Sequence, residues 1–383
     1  MLLTMIPWTS WSMDLRDCDP LPPLARCRLL RHTLDSTWLV TAFSERDGAM
    51  VGRLALCLVL LCVLGVSSET AAVSAQDPVP VVIDSDMISD DWMAALLVLN
   101  DPTFAVKAIT VAGTGFADCD AGVRSALGLL ALTDYGDVPV SCGAASPLRG
   151  DNAPPAEWRT TIETVEGLGL PEGGEPVEQD AVALFTSVIR ESPEPVTVLA
   201  LGPLTNVGAA LDATPALVEK IAKIYVMGGA VDVAGSSVSE ENTAAEWNIY
   251  CDPHAARLVF ESGAPITLVP LDATNKVPVT PEFVAQLDAK KSTPEAEFVA
   301  TLLANNAESI ASGGYYFWDP LAAAVMSDPS LVTLTPRDVT VIDIPGAPDD
   351  GRTKPVANGS EIVVATAPDG DALEAALIAA WNS

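Results

Sequence analysis

The stretch VPVVIDSDMISDDWMAALLVLN, residues 79–100, decides the fold class of this chain. It opens with VPVVIDSD (Val79 to Asp86), a β-branched run that ends in acids, as expected for a strand buried in a parallel sheet. The segment DDWMAALLVLN, which ends at Asn100, has apolar residues at helical spacing and places its acids at the favourable N-terminal end. A buried strand followed directly by a helix indicates an α/β fold.

The same alternation of strand and helix continues along the chain. FAVKAITVAG (Phe104 to Gly113) predicts the second strand, and AGVRSALGLLAL (Ala121 to Leu132) predicts the helix after it. Further strands are predicted at DVPVSCG, PVTVLALG, KIYVMGG and APITLVPLD, with helices at AVALFTSVIRE (Ala181 to Glu191) and PHAARLVFES (Pro253 to Ser262). The pattern therefore predicts an α/β domain with an open, mostly parallel (mixed) sheet flanked by helices.

Composition excludes several classes of function. The 383 residues include 20 Lys and Arg against 51 Asp and Glu, which gives a formal net charge of −31. A surface this negative repels phosphate backbones and anionic lipids, so we expect no nucleic-acid partner and no binding to membranes through a basic patch. With 49% apolar residues the chain is typical of a globular protein. Carboxylates are abundant, whereas there are only 2 histidines to serve as bases.

The N-terminal stretch differs from the rest. LALCLVLLCVLGV (Leu54 to Val66) is a short apolar run after one arginine, and residues 50–75 match the three regions of a signal peptide cut ahead of Gln76. A retained membrane anchor is the alternative, although the run is shorter than the ~20 residues of a membrane span. We expect residues 1–49 to be an upstream extension outside the fold, residues 76–383 to form the functional domain, and the protein to be exported without stable membrane insertion.

Three cysteines follow the predicted signal peptide, namely Cys119, Cys142 and Cys251. An odd count permits at most one disulfide and leaves one thiol spare, so the chain is not a disulfide scaffold. Cys119 and Cys142 lie near predicted strand ends. We interpret both cysteines as small buried apolar residues rather than as catalytic groups.

An acid cluster follows the first strand. Asp84, Asp86, Asp90 and Asp91 fall within eight residues, at the edge of the sheet where α/β proteins bind ligands. Carboxylates crowded in this way repel one another unless a cation neutralises them, and calcium and magnesium take oxygen ligands of this kind. Capping of the following helix is the alternative for Asp90 or Asp91 taken singly. The sequence contains no EF-hand loop, GxxxxGK[ST] phosphate loop or G-x-S-x-G nucleophile elbow.

Four segments together resemble one family. VVIDSDMISDDWMAALLVL is similar to the signature D-T-D-x-G-x-D-D and apolar helix of the inosine-uridine-preferring nucleoside hydrolases. Three more segments agree in order and spacing: VTVLALGPLTNVGAAL (Val196 to Leu211), IYVMGGA with AEWNIYCDPHAARLVF (Ile224 to Phe260), and FWDPLAAAVMSDP (Phe317 to Pro329). The resemblance covers nearly all of residues 78–383.

The resemblance implies a single α/β domain, nucleoside hydrolase-like, with a calcium ion at the strand ends. Carried over residue by residue, the ion would be bound by the carboxylates of Asp86, Asp91 and Asp319 and by the backbone carbonyl of Leu201. Asp86 would also be the general base towards a water molecule held by the ion, because the metal lowers the pKa of the water and the carboxylate removes its proton.

The implied reaction is hydrolysis of the N-glycosidic bond of a ribonucleoside to ribose and free base, through a transition state with oxocarbenium character. The family's sugar-binding positions correspond to Asp90, Glu246, Asn248 and Asn242, the last at a shorter spacing from Glu246 than is usual. Thr114 stands where many members have an asparagine. Relatives are often dimers or tetramers, so a homo-oligomer is possible, and the partner implied is a small-molecule ribonucleoside.

One departure concerns the leaving group. Many members have His-Asp where this chain has Trp318 and Asp319, and that histidine is the proposed acid that protonates the base. His32 lies upstream of the signal segment, and His254 begins a predicted helix. Stacking of the base on Trp318, Trp247 or the pair Tyr315 and Tyr316 would replace the acid, with ordinary packing of these aromatic residues as the alternative.

Two other functions fit the same residues. The chain would be a non-catalytic ribose- or nucleoside-binding protein if it kept the calcium site and lost turnover with the histidine. It would hydrolyse an atypical N-riboside if the leaving group were good enough to need no acid. Ligand binding without release of ribose would favour the first of these two.

Overall fold

A computed structural model describes residues 77–133, 135–163 and 169–383. The predicted extension at 1–49 and the predicted signal peptide at 50–75 lie outside the described residues. Within the described ranges, no helix combines the length and the apolar character needed to cross a membrane.

Nine strands of the described residues form one sheet in the order β3-β2-β1-β4-β5-β6-β9-β7-β8. The strands are β1 (Val79–Ser85), β2 (Phe104–Val111), β3 (Val140–Cys142), β4 (Val196–Ala200), β5 (Ile221–Met227), β6 (Ile266–Val269), β7 (Thr333–Val341), β8 (Thr353–Pro355) and β9 (Ser360–Thr366). Strands β1 to β6 and β9 pair in parallel, whereas β7 is antiparallel to both β8 and β9. The sheet is therefore mostly parallel with a mixed edge, which confirms the predicted fold class.

Helices connect the strands and cover the sheet. They are α1 (Ser89–Asn100), α2 (Cys119–Leu132), α3 (Ala156–Glu163), α4 (Ala181–Glu191), α5 (Thr205–Ala213), α6 (Trp247–Cys251), α7 (Pro253–Glu261), α8 (Leu271–Thr274), α9 (Pro281–Lys290), α10 (Pro294–Asn305), α11 (Ala307–Ala311), α12 (Trp318–Ser327) and α13 (Gly370–Trp381). Short 3-10 helices span Pro215–Lys220 and Pro329–Leu331.

Two apolar clusters lie on the two faces of the sheet. Val81 and Ile83 of β1 join the cluster that contains α1, α12 and α13, whereas Val82, which points the other way, joins the cluster that contains α4, α5 and α7. Alternate residues of a strand point to opposite faces, so β1 is buried on both sides. This double burial explains why its sequence is a continuous apolar run rather than an alternating pattern.

The register of the parallel strands positions the functional site. Asp84 of β1 pairs with Thr110 of β2 on one side and with Ala200 of β4 on the other. The carboxyl ends of these three central strands therefore lie together at one edge of the sheet, and the residues that follow β1 and β4, including Asp86 and Leu201, meet there.

The structure corrects one expectation about the cysteines. Cys119, the first residue of α2, and Cys142, the last residue of β3, form a disulfide with their Cα atoms 5.5 Å apart, so they are not two separate buried thiols. The parallel pairing of β2 with β3 brings the end of β3 beside the start of α2. Cys251 is the remaining thiol of the described residues and is buried.

Candidate active site

Asp86 is held in a tight turn between β1 and α1. The next residue, Met87, has a φ of 53°, which is rare for a residue with a side chain. Two hydrogen bonds stabilise this turn: the N–H of Met87 donates to Ser85 Oγ (2.9 Å), and Trp92 Nε1 donates to the carbonyl of Met87 (2.9 Å). The turn leaves the Asp86 side chain in the wall of a cavity above the strand ends.

Three carboxylates converge beside Asp86. Asp90 and Asp91 lie in the first turn of α1, and Asp319 lies in the first turn of α12, which packs against α1. One carboxylate oxygen from each lies within 4.8 Å of the other two, and all three residues are buried. The pairing of the two helices thus brings together acids that are more than two hundred residues apart in the sequence.

The electrostatics of this cluster favour a cation. Burial, and then repulsion from the neighbouring carboxylates, raises the pKa of Asp91 and of Asp319 well above the ordinary value. Burial likewise raises the pKa of Asp90 to about 7. Oδ1 of Asp319 is buried without a hydrogen-bond partner among the described residues. Buried carboxylates with an unused acceptor fit a hard cation, so the acidic cluster can hold a metal ion.

Asp86 and Leu201 adjoin the cluster. Burial raises the pKa of Asp86 to about 6. The N–H of Phe116 donates to Asp86 Oδ2 at 2.8 Å, and this hydrogen bond acts to lower the pKa. The carbonyl of Leu201 accepts from Asn248 Nδ2 at 2.6 Å. The compact triad is thus Asp90, Asp91 and Asp319, whereas the ligand set implied by the family resemblance has Asp86 and the Leu201 carbonyl in place of Asp90.

The cavity has a volume of about 420 Å³ and combines acids with aromatic side chains. It is lined by Asp86, Ile88, Asp90, Asp91, Phe116, Trp158, Leu201, Met227, Gly235, Ser236, Glu246, Trp247, Asn248, Leu271, Asn275, Trp318 and Asp319. The proposed metal ligands line it, as do Asp90, Glu246, Trp247, Asn248 and Trp318, whereas Thr114 and Asn242, the tyrosine pair Tyr315 and Tyr316, and Asp84 of the acid cluster do not. Carboxylates beside aromatic rings suit a ligand with a polar sugar and a flat ring.

Glu246 caps α6 and faces the cavity. Its carboxylate accepts hydrogen bonds from the N–H groups of Gly229 (2.9 Å), Asn248 (2.9 Å) and Ile249 (3.2 Å). Burial raises the pKa of Glu246, and these three N–H groups oppose that shift. The cap therefore fixes the orientation of a carboxylate at the cavity wall.

Thr114 and Asn242 lie outside the cavity lining. Thr114 Oγ shares a hydrogen bond with Thr205 Oγ (2.8 Å). Asn242 Nδ2 donates to the carbonyl of Asp350 (2.8 Å), and its Oδ1 accepts from the N–H groups of Ala244 and Ala245. In this structure both side chains bond to the protein itself and stabilise the loops around the cavity.

Aromatic residues form one side of the cavity. The rings of Phe116 and Trp158 stack with centroids 5.3 Å apart, and Trp158 meets Trp247 edge to face at 5.1 Å. Trp158 is 41% exposed. Trp318 also lines the cavity. Its ring contacts those of Tyr315 and Tyr316, which do not line the cavity.

Eight lining residues were not singled out from the sequence: Ile88, Phe116, Trp158, Met227, Gly235, Ser236, Leu271 and Asn275. Five of them, Phe116, Trp158, Gly235, Ser236 and Asn275, lie in no stretch of sequence quoted above. Ile88 stands at the glycine position of the family signature, which was the one available signal. Trp158 enters from α3, a short helix that no strong periodicity predicts.

The raised pKa values predict how the metal-free protein responds to pH. Because folding raises the pKa of Asp86 to about 6 and that of Asp90 to about 7, the folded state holds protons that the unfolded state releases. The free energy of unfolding therefore falls as pH increases from about 4 to about 7. We expect chelator-treated protein to melt at a lower temperature at about pH 7.5 than at about pH 5.5. Melting curves in EDTA test this, and a Tm that increases over the interval contradicts it.

Comparisons with known proteins agree with this geometry. The family model described as inosine-uridine preferring nucleoside hydrolase matches residues 81–375. This chain belongs to that family. It is therefore an N-glycosyl hydrolase that acts on ribonucleosides. The resemblance inferred from the four sequence motifs is confirmed.

Individual relatives of this nucleoside hydrolase differ in base preference. A pyrimidine-specific ribonucleoside hydrolase, RihA of Citrobacter koseri, is 37% identical over 268 residues, which cover 68% of this chain and 83% of the relative. A solved purine-preferring ribonucleoside hydrolase from Gardnerella vaginalis is 26% identical, with a TM-score of 0.69 and coverage of 79% and 98%. The inosine-uridine preferring nucleoside hydrolase of Bacillus anthracis shares the fold, with a TM-score of 0.71, 24% identity and coverage of 79% and 99%.

Proposed function

We propose that this nucleoside hydrolase depends on Ca²⁺ and cleaves ribonucleosides with Asp86 as the general base. One observation supports the proposal above all others: the Asp86 carboxylate lies in the cavity wall beside three converging buried carboxylates, one of which has an unpartnered oxygen. A base must lie next to the water that it deprotonates, and a cation held by these carboxylates would place such a water beside Asp86.

Calcium suits the donors that meet here. The carboxylates of Asp86, Asp91 and Asp319 and the carbonyl of Leu201 would hold it. All of these donors are oxygens, which hard cations prefer. When bound, the ion supplies a positive charge that lowers the pKa of water and fixes its position.

The residues of the chain then perform the proton transfer and stabilise the sugar. The N–H of Phe116 fixes Oδ2 of Asp86 and so orients the carboxylate that receives the proton from the attacking water. Asp90, Glu246 and Asn248 bind the ribose hydroxyls. Positive charge develops on the sugar as the glycosidic bond breaks, and the surrounding carboxylates stabilise it electrostatically.

The leaving base is not protonated by a histidine of the described residues. His254, on α7, is the only histidine there. Its Nδ1 shares a hydrogen bond with Asp343 Oδ2 (2.8 Å), and it does not line the cavity. The base instead stacks among Trp158, Trp247 and Trp318. Because no histidine of the described residues lines the cavity, a second candidate substrate is an N-riboside whose leaving group departs without an acid.

Trp158→Ala tests the base-stacking role. We expect KM to increase about tenfold with a smaller change in kcat, because an aromatic platform for the base is removed from an exposed position. Steady-state release of ribose measures both constants. Trp158→Phe keeps a ring and should retain most of the affinity, and an unchanged KM in Trp158→Ala for every riboside would exclude Trp158 from base binding.

The experiment for the proposed function is ribose release from a panel of purine, pyrimidine and nicotinamide ribosides, with Ca²⁺ present. Release of ribose from ordinary purine or pyrimidine nucleosides would support the proposal that stacking is enough to let the base leave without protonation by a histidine. Release from nicotinamide riboside alone, whose base leaves as a neutral pyridine, supports the second candidate. Binding of ribosides without release of ribose from any of them would refute turnover of this class.

We further propose that the protein is exported. The signal-like segment at 50–75 supports this, and so does the Cys119–Cys142 disulfide, because disulfides persist in oxidising compartments. A mature N-terminus near Gln76 is expected in the native protein, and retention of residues 1–49 would refute the processing scheme.

A further inference from the structure

We propose that the Cys119–Cys142 disulfide is a positioning element of the active site, which fixes the loop between β2 and α2 against Asp86. The proposal rests on the proposed role of Asp86 and adds a determinant of how well that carboxylate is placed. The loop comprises residues 112–118, and Cys119 follows it directly. The disulfide therefore ties the far end of the loop to the end of the neighbouring strand β3.

The disulfide packs directly on the loop backbone at Gly113. A Cβ atom added to Gly113 would lie 3.0 Å from Cys119 Sγ and 3.2 Å from Cys142 Sγ, closer than most real contacts of that kind. No side chain separates the two sulfur atoms from the backbone here. The sulfur atoms, together with the Ala144 carbonyl oxygen at 3.1 Å from the same point, therefore limit how far the loop can move towards β3.

The other side of the loop lies against Asp86. The N–H of Phe116 donates to Asp86 Oδ2 (2.8 Å), and the N–H of Ala117 donates to the Asp86 carbonyl (3.3 Å). A Cβ atom on Gly115 would fall only 2.2 Å from Asp86 Oδ2, so the backbone of the loop touches the carboxylate. A shift of the loop therefore moves the hydrogen-bond donor of the base or displaces the base itself.

Noncovalent contacts hold the loop as well. Arg159 donates to the carbonyls of Gly113 (3.3 Å) and Thr114 (2.9 Å). These bonds remain when the disulfide is removed, so the loop should loosen rather than unfold. Small misplacements of a catalytic group reduce the rate of the chemical step much more than they reduce substrate binding.

The double variant Cys119→Ala/Cys142→Ala provides the main test in the full chain. We expect kcat for ribose release to fall about tenfold while KM changes by less than about threefold, because Asp90, Glu246 and Asn248 lie on other elements. Reduction of the wild-type disulfide by dithiothreitol, which gives two thiols and the oxidised cyclic reagent, should reproduce the loss. The same reagent should not change the double variant further.

A matched control separates positioning from stability. Leu217 lies in the 3-10 helix that leads into the amino end of β5, whereas the site is at the carboxyl ends of the strands, and it is 3% exposed. Leu217→Ala should lower Tm and leave kcat unchanged well below Tm. If the disulfide acted only on stability, the double variant would behave in the same way, with lower Tm and wild-type kcat, and the proposal would be overturned.

Gly113→Ala provides an independent test. In the protein with the disulfide, the added methyl group meets both sulfur atoms and the carbonyl oxygen of Ala144 (3.1 Å), and it should lower kcat. In the Cys119→Ala/Cys142→Ala background only the Ala144 oxygen remains close, and the loop can move away from it, so the same methyl should lower kcat less. Equal losses of kcat in both backgrounds would contradict coupling between the disulfide and the loop. A wild-type protein without turnover would refute the proposed function instead, so the two failures are distinguishable.

Discussion

Asp86→Ala should lower kcat for ribose release by about 10³-fold or more while the protein remains folded. The variant removes the proposed proton acceptor and one of the proposed metal ligands. The side chain is buried at the carboxyl end of β1, where no other carboxylate accepts the Phe116 N–H. Asp86→Asn keeps the shape of the side chain and should lose nearly as much activity, because an amide does not accept the proton.

Steady-state kinetics with circular dichroism would measure this effect. Asp338→Asn is the matched control, since Asp338 is an exposed carboxylate on β7. It should keep wild-type kcat and KM. Wild-type turnover by Asp86→Asn would contradict the assignment of the base, whatever the metal affinity of that variant.

Asp319→Asn should weaken Ca²⁺ binding by about 100-fold or more. The same substitution should stabilise the metal-free protein. Asp319 is buried beside Asp91 and Asp90, and burial followed by their repulsion raises its pKa. Replacing it with a neutral amide removes that repulsion, so the variant in EDTA should melt at a higher temperature than wild type in EDTA at about pH 7.5.

Calorimetric titration with Ca²⁺ and melting curves with and without EDTA would separate the two effects. Wild type should gain stability on adding Ca²⁺, because the ion binds the folded state. Asp319→Asn should gain little, and Asp338→Asn should behave as wild type. An unchanged Ca²⁺ affinity in Asp319→Asn would show that the ion, if bound, lies elsewhere.

The sequence was sufficient to predict the centre of the fold. β1 is buried on both faces, so its sequence has to be apolar until the sheet ends, and the acids that follow mark the ligand-binding edge. The mixed edge was harder to locate. β7 has the sequence TLTPRDVTV and is largely exposed, so neither an apolar run nor a clean alternation identifies it.

The site was predictable where it depends on motifs, and not where it depends on packing. Asp319 could be placed beside Asp91 only through the family resemblance, because the contact between α1 and α12 spans most of the chain. Phe116 and Trp158 reach the cavity through loop and helix placements that no local pattern encodes. The cysteine count allowed one disulfide, but the pairing of Cys119 with Cys142 follows from strand register.

The most direct test of calcium-dependent hydrolysis is ribose release by the wild-type protein from its best riboside, measured after chelation and again after metal is restored. We expect EDTA to abolish release, Ca²⁺ to restore it, and Asp86→Asn to stay inactive under both conditions. Full turnover in excess EDTA, by protein shown to contain no bound metal, would contradict it.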